Sequence, residues 1–184
     1  MSTLYRLVPY VTTAKKNEQG HPLYFPSNRG VARVDNNLHY QVAYLAKSGD
    51  CAVAETFGFL NNWDSQMLRP IKNLPGSTWS IISYTTIGVG PIFDMDAASN
   101  LVKFKLRPSC VVTRDRATSQ AWALKVFSLG SSAGVSWWSF YSPDWVCVGL
   151  WDFSKLKVSK IEAVTLDHPA VSAASRIINR PIIN

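Results

Sequence analysis

The stretch GVARVDNNLHYQVAYLAKSGDCAVAETF, residues 30–57, decides the fold. At its centre VAYLA (42–46) is a short apolar run with the length of a buried strand. Ser48, Gly49 and Asp50 punctuate it, and Asp50 is placed to cap a helix running through about residue 60. Within that helix Ala52, Glu55 and Phe59 fall on one face by three- and four-residue spacing. A carboxylate is thus set among apolar neighbours just after a buried strand. Upstream, residues 10–38 are polar and turn-rich, with Gly20, Pro22, Pro26 and Gly30, and read as a long loop of the kind that often carries function.

On either side of this stretch, LYRLV (4–8), WSIISYTTIGV (79–89), GVSWW (134–138), VCVGLW (146–151) and IEAVTL (161–166) read as strands. LVKFKL (101–106) also reads as a strand, because Val102, Phe104 and Leu106 alternate with Lys103, Lys105 and Arg107. ATSQAWALKVFSL (117–129) is the best helix, with Asp115 or Thr118 as its cap and Gly130 at its end. A final helix is expected over about 169–178. Two or three helices among six or seven strands, with no repeating βαβ unit, predict an α+β protein. The expected organisation is one domain over 1–184, a mixed, twisted β-sheet core with a few flanking helices. Neither a linker nor an internal repeat divides it.

The 184 residues are 47% hydrophobic and 17% charged, which excludes a disordered chain. Nineteen Lys/Arg against twelve Asp/Glu give +7. Residues 1–100 hold 8 basic and 7 acidic residues, and residues 101–184 hold 11 and 5, so the second half carries nearly all of the excess. No block of like charge forms a tail. Seven tryptophans beside this charge raise the idea of a nucleic-acid-binding module, but they lie in apolar runs rather than between basic residues, and no nucleic-acid motif accompanies them. Direct binding of nucleic acid is therefore not expected. Cys51, Cys110 and Cys147 show neither a disulfide framework nor metal spacing and suit a reducing compartment. Cys110 and Cys147 fall in strand-like apolar runs and read as inert core thiols, and His21, His39 and His168 read as surface residues in loops. No stretch approaches a secretory signal or a membrane span, so a cytoplasmic protein is expected. P-loop, GxGxxG, HExxH and GxSxG motifs are all missing.

Three segments taken together stand out: residues 30–57, the helix ATSQAWAL, and AGVSWWSFYSPDWVCVGLWD (133–152). Their succession resembles the RES domain family, which is named for an arginine, a glutamate and a serine in that order. The arginine matches Arg33, in a G-x-x-R loop before the buried strand; the glutamate matches Glu55, in A-x-x-E-T; the serine matches Ser139, after G-V-x-W-W. The tyrosine of the family's Y-L-A strand matches Tyr44, and Gln120-Ala121 and the late L-W-D (150–152) also agree. The resemblance covers about residues 4–170. Two departures stand: Val34 replaces the aromatic residue that many members carry after the arginine, and the loop holds a second arginine, Arg29. The distance to the Y-L-A strand favours Arg33.

The resemblance implies an ADP-ribosyltransferase-like fold with a cleft for NAD, which is substrate rather than cofactor. No metal is implied. It also implies a toxin that degrades NAD by hydrolysis or phosphorolysis and is neutralised by an Xre-type antitoxin. The alternatives are an ADP-ribosyltransferase acting on a protein and an inactive partner-binding domain. In the leading reading Glu55 and Arg33 are catalytic, while Arg33, Tyr44 and Ser139 bind NAD. The chemistry suits these residue types. Nicotinamide departs neutral, so the demand is for a carboxylate near the positive charge that develops on the ribose. A diphosphate suits a fork-shaped guanidinium. Tyrosine offers a flat face and a hydroxyl, and serine a hydrogen bond to a ribose or amide group. Each residue also has an ordinary alternative: a helix carboxylate in an ion pair, a loop arginine, a core tyrosine, a turn-capping serine. Trp137 and Trp138, adjacent in a strand, face opposite ways, so one is expected in the core.

Overall fold

Seven strands and five α-helices order the chain in a computed structural model that describes residues 2–27 and 30–183. Arg29 lies outside the described residues. The elements are β1 (Thr3–Tyr10), β2 (Ala43–Ala46), α1 (Gly49–Phe57), β3 (Thr78–Thr86), β4 (Ile92–Asp94), α2 (Ala98–Phe104), α3 (Pro108–Val111), α4 (Arg116–Ser128), β5 (Gly134–Trp138), β6 (Val146–Leu150), β7 (Leu156–Ala163) and α5 (Pro169–Ile177), with a 3-10 turn at Ser65–Leu68. The hydrogen-bonded strand order is β4-β5-β6-β2-β1-β3-β7. β1 pairs antiparallel with β2 and β3, β3 with β7 and β5 with β6, whereas β4 runs parallel to β5. This is the mixed sheet with flanking helices that the sequence predicted.

The chain divides into two compact units, each assembled from separate stretches. The first comprises residues up to 24, 46–87 and from 156 onward. Its frame is β3 paired along its whole length with β1, from Thr3 opposite Thr85 to Tyr10 opposite Thr78, and on its other edge with β7. A bulge at Ser83/Tyr84 interrupts the β7 register. Leu4, Ile81, Ile82 and Tyr84 are buried along these strands, and Val53, Phe57, Val171 and Ala174 are buried on α1 and α5. The two helices start close together, since a Cβ on Gly49 would meet the Ala170 methyl at 3.4 Å. Trp63 is fully buried and donates its indole N–H to the Phe57 carbonyl at 3.1 Å, satisfying a C-terminal carbonyl of α1.

The second unit comprises residues 25–45 and 88–155. It holds β4, β5, β6, α2, α3, α4 and most of β2. Val135 and Trp137 of β5 and Val148 and Leu150 of β6 are buried, as are Val111, Trp122 and Val126 of the helices. Trp138 is half-exposed, so the two adjacent tryptophans divide as the strand period requires. Gly149, in β6, is the close approach that matters most. A Cβ there would lie 3.0 Å from Val42 Cγ2 and 3.2 Å from Val34 Cγ2, so the missing side chain is what lets Val34 seat against the strand.

Several expectations are corrected. LVKFKL is not a strand: Ala98–Phe104 is helix α2, closed by Lys105 in the left-handed region at φ 54°. The three-residue spacing of Leu101 and Phe104 wins over the alternation, with Phe104 edge-on to Phe93 at 5.4 Å while Val102, Lys103 and Lys105 are exposed. The last strand begins at Leu156, earlier than IEAVTL, because it is a terminal strand rich in charge rather than an apolar one. Helix α1 is capped by Ser48 and ends at Phe57, leaving Phe59 exposed. Asp50 instead accepts the Cys51 N–H at 2.9 Å from within the first turn. Cys110 lies on α3 and is half-buried, whereas Cys147 is a buried strand residue as expected. His168 is not a plain loop residue, since it caps α5 by accepting the Ala170 N–H on Nδ1 at 3.2 Å.

Candidate functional site

Arg33 sits on a loop that polar side chains hold from several directions. Asp35, almost fully buried, accepts the Ala32 N–H on Oδ2 at 3.0 Å and the Tyr44 hydroxyl on Oδ1 at 2.8 Å. The same hydroxyl accepts the Val34 N–H at 3.1 Å. The amides on both sides of Arg33 are therefore fixed by one Tyr44–Asp35 pair. Gln120, on α4, donates to the carbonyls of Gly30 and Ala32 at 2.8 and 3.0 Å. Asn36 bridges Tyr40 and the Gln120 carbonyl, and the Tyr40 hydroxyl donates to the Val34 carbonyl at 2.8 Å. Beneath, the Tyr40 ring packs against Phe127 and Trp151 with centroids 4.6 and 4.9 Å away. Gln120 and the L-W-D segment thus both serve to hold the arginine loop.

The Arg33 side chain is oriented as firmly as its backbone. Its Nη1 donates to the carbonyls of Val111 at 2.9 Å and Thr113 at 2.7 Å, which accounts for two of the five N–H donors of the fork. Arg116, the first residue of α4, donates to the same Thr113 oxygen at 3.3 Å. Two residues before it, Arg114 lies over the exposed Phe140 ring, 5.3 Å from its centroid.

Tyr44 is half-buried, and burial pushes its hydroxyl well above the ordinary tyrosine range, with the bond to Asp35 adding to the effect. Burial also raises Tyr40, to about 12. Both hydroxyls stay protonated and serve as structural donors. The Tyr44 hydroxyl is committed to the loop, which leaves the ring as the part available to a ligand. That ring meets Trp137 edge-on at 6.3 Å.

Ser139 follows β5 and is buried. Its N–H donates to the Trp145 carbonyl at 2.7 Å, and its Oγ accepts the Tyr141 N–H at 3.0 Å, so it shapes the turn. Within the second unit, then, Arg33 and Tyr44 share one clamp, and Ser139 adjoins both Phe140 under Arg114 and the strand that carries Trp137. Glu55 belongs to the first unit, exposed in the last turns of α1 whose buried face is Cys51, Ala52, Val53, Ala54 and Phe57. Sequence reasoning missed Asp35. A signal for Asp35 was present, a carboxylate two residues after the arginine inside residues 30–57. Among the described residues no group of three His, Cys, Asp or Glu side chains is placed to hold a metal, and no helix is long and apolar enough to cross a membrane.

Comparison with solved structures identifies the kind of fold. The MbcT toxin in "Crystal structure of the M.tuberculosis MbcT-MbcA toxin-antitoxin complex" is similar, with a TM-score of 0.62 and 12% identity over 97% of this chain and 89% of that chain. At that identity the likeness is one of fold. The RES domain model matches residues 3–172, and the chain belongs to the RES domain family. No curated protein matches.

Proposed function

We propose that this chain is an NAD-consuming toxin that breaks the nicotinamide–ribose bond by hydrolysis or phosphorolysis and is held in check by an Xre-type antitoxin partner. Family membership over residues 3–172 is the observation that carries this reading. The three cysteines form no disulfide and suit a reducing cytoplasm, where NAD is available.

Each residue has a role that its chemistry suits. The C–N glycosidic bond breaks with its electron pair passing to the pyridinium nitrogen, so nicotinamide leaves neutral and positive charge is left on the ribose. Glu55 stabilises that charge and orients the attacking water or phosphate through the ribose hydroxyls. Water adds to the anomeric carbon and releases a proton, giving ADP-ribose. Arg33 holds a phosphoryl group with its fork. The Tyr44 ring supplies a flat wall, and Ser139 a polar contact from the turn it shapes.

The test is to incubate the purified protein with NAD, with and without phosphate, and to follow nicotinamide and ADP-ribose. Nicotinamide released with ADP-ribose, or with ADP-ribose 1-phosphate when phosphate is present, supports the reading; ADP-ribose attached to protein instead would identify a transferase. No nicotinamide under any of these conditions, with every copurifying partner removed, sinks the enzyme reading. Glu55→Gln is expected to lower kcat at least about 100-fold, and because Glu55 is exposed its stability should stay within about 0.5 kcal/mol of wild type. Full activity in that variant would show that another carboxylate does the work.

A further inference from the structure

A cavity of about 340 Å³ lies within the first unit, between the sheet and the starts of two helices. Ile81 of β3 stands opposite Glu162 of β7 in the register, and both line it together with Tyr5 of β1. Gly49 of α1 and Ala170 of α5 close it in, and Lys47 and His168 reach it from the residues just before those helices. Its polar groups are side chains and not helix-end amides. On α5, Pro169 has no N–H, the Ala170 N–H goes to His168 Nδ1 at 3.2 Å and the Val171 N–H to the His168 carbonyl at 2.8 Å. Ser48 is spent on capping α1.

Three donors remain. Among the described residues neither the Lys47 ammonium nor the Tyr5 hydroxyl has a hydrogen-bond or ion-pair partner. His168 accepts on Nδ1, so its neutral ring carries the proton on Nε2, which is left to donate. Glu162 is already matched by Lys160 at 2.7 Å, so the lining carries one unmatched positive charge, that of Lys47. We infer that this cavity binds a small organic monoanion, a free carboxylic acid with an apolar body of one ring or a short branched chain. Its two oxygens accept from Lys47, Tyr5 and His168, and Ile81 and Ala170 receive the body. A volume of about 340 Å³ is at the small end for ligand sites. A phosphate dianion suits it less, because the lining offers no guanidinium fork and places the Glu162 carboxylate beside the second charge. The inference stands apart from the NAD reading, and loss of either leaves the other intact.

Nuclear magnetic resonance titration of the nitrogen-15-labelled protein tests it, with cyclohexanecarboxylate, its neutral carboxamide and succinate as probes. The carboxylate should give saturable shifts at the amides of Gly49, Glu162 and Ala170, and should bind at least about fivefold more tightly than the carboxamide or succinate. Lys47→Met should weaken it about fivefold, and Tyr5→Phe, which keeps the ring, about threefold. Lys47→Arg keeps the charge and should stay within about twofold. Lys72→Met, exposed in the same unit but outside the cavity lining, changes net charge equally and should match wild type. Equal binding of carboxylate and carboxamide, tighter binding of succinate, shifts confined to other amides, or Lys47→Met and Tyr5→Phe variants that bind like wild type would each overturn the inference. A peptide C-terminal carboxylate that bound more tightly than the free acid would overturn the choice of a small molecule.

Discussion

Tyr44→Phe removes one oxygen and keeps the ring, so it isolates the clamp under Arg33. The hydroxyl makes two bonds, donating to the buried Asp35 carboxylate at 2.8 Å and accepting the Val34 N–H at 3.1 Å. A hydrogen bond to a charged group contributes about 1.5–3 kcal/mol, and an N–H left unsatisfied in the interior costs about 1–3 kcal/mol. Val34 is fully buried, so both terms apply. They share one atom and are not additive, and about 3 kcal/mol is the expected loss. For a chain of this size about 2–4 °C accompanies each kcal/mol, so the melting temperature should fall by about 6–12 °C. The functional effect follows from position. Asp35 would still hold the Ala32 amide, but the Val34 amide would be released, and Arg33 lies between them. The KM for NAD should rise about tenfold or more with kcat less affected, because an arginine that has lost its orientation binds less well. Urea unfolding and steady-state NAD kinetics on the same preparation measure both. A variant within about 0.5 kcal/mol of wild type with an unchanged KM would refute the clamp.

Two more outcomes follow from buried groups. Burial holds the Tyr40 and Tyr84 hydroxyls up to about 12, against about 10 in an unfolded chain. A folded-state pKa raised in this way contributes stability that is complete below about pH 10 and is lost as pH rises toward about 12. The urea midpoint should therefore drop steeply between about pH 10 and 12, and Tyr84→Phe, which removes one titrating group, should flatten that slope. An unchanged slope would place the alkaline transition elsewhere. Gly134→Ala should cost about 2–3 kcal/mol or more by overpacking, because its Cβ would overlap the Gly149 carbonyl oxygen and lie 3.1 Å from Leu150 Cα, and backbone cannot step aside as a side chain can. A urea midpoint equal to wild type would contradict the close β5–β6 approach.

What could be read from sequence was whatever is local and periodic. VAYLA, its polar punctuation and the following helix are contiguous signals, and they survive with the cap moved from Asp50 to Ser48, two side chains that both accept the Cys51 N–H, and the helix end drawn back from about residue 60 to Phe57. Asp115 and Gly130 bound α4 as caps do, because capping is decided within a turn of the helix end. LVKFKL failed because six residues fit two periods equally well, and only the packing of Phe104 on Phe93 decides between them. The clamp was illegible for a different reason. Tyr44 reaches Asp35 across nine residues through an irregular turn, a distance that no helical or strand period marks.

The same geometry changes what the net charge of +7 means. Lys103 and Lys105 lie exposed on and just past a short helix and not along one face of a strand, so the alternation at 101–107 makes no basic strand face. Lys157 and Lys160 belong to β7, last in the strand order, where charge discourages further strand pairing, and Lys160 is matched with Glu162 at 2.7 Å. Lys155 pairs weakly with Asp152 at 3.9 Å. Each of these positions answers to a local cause.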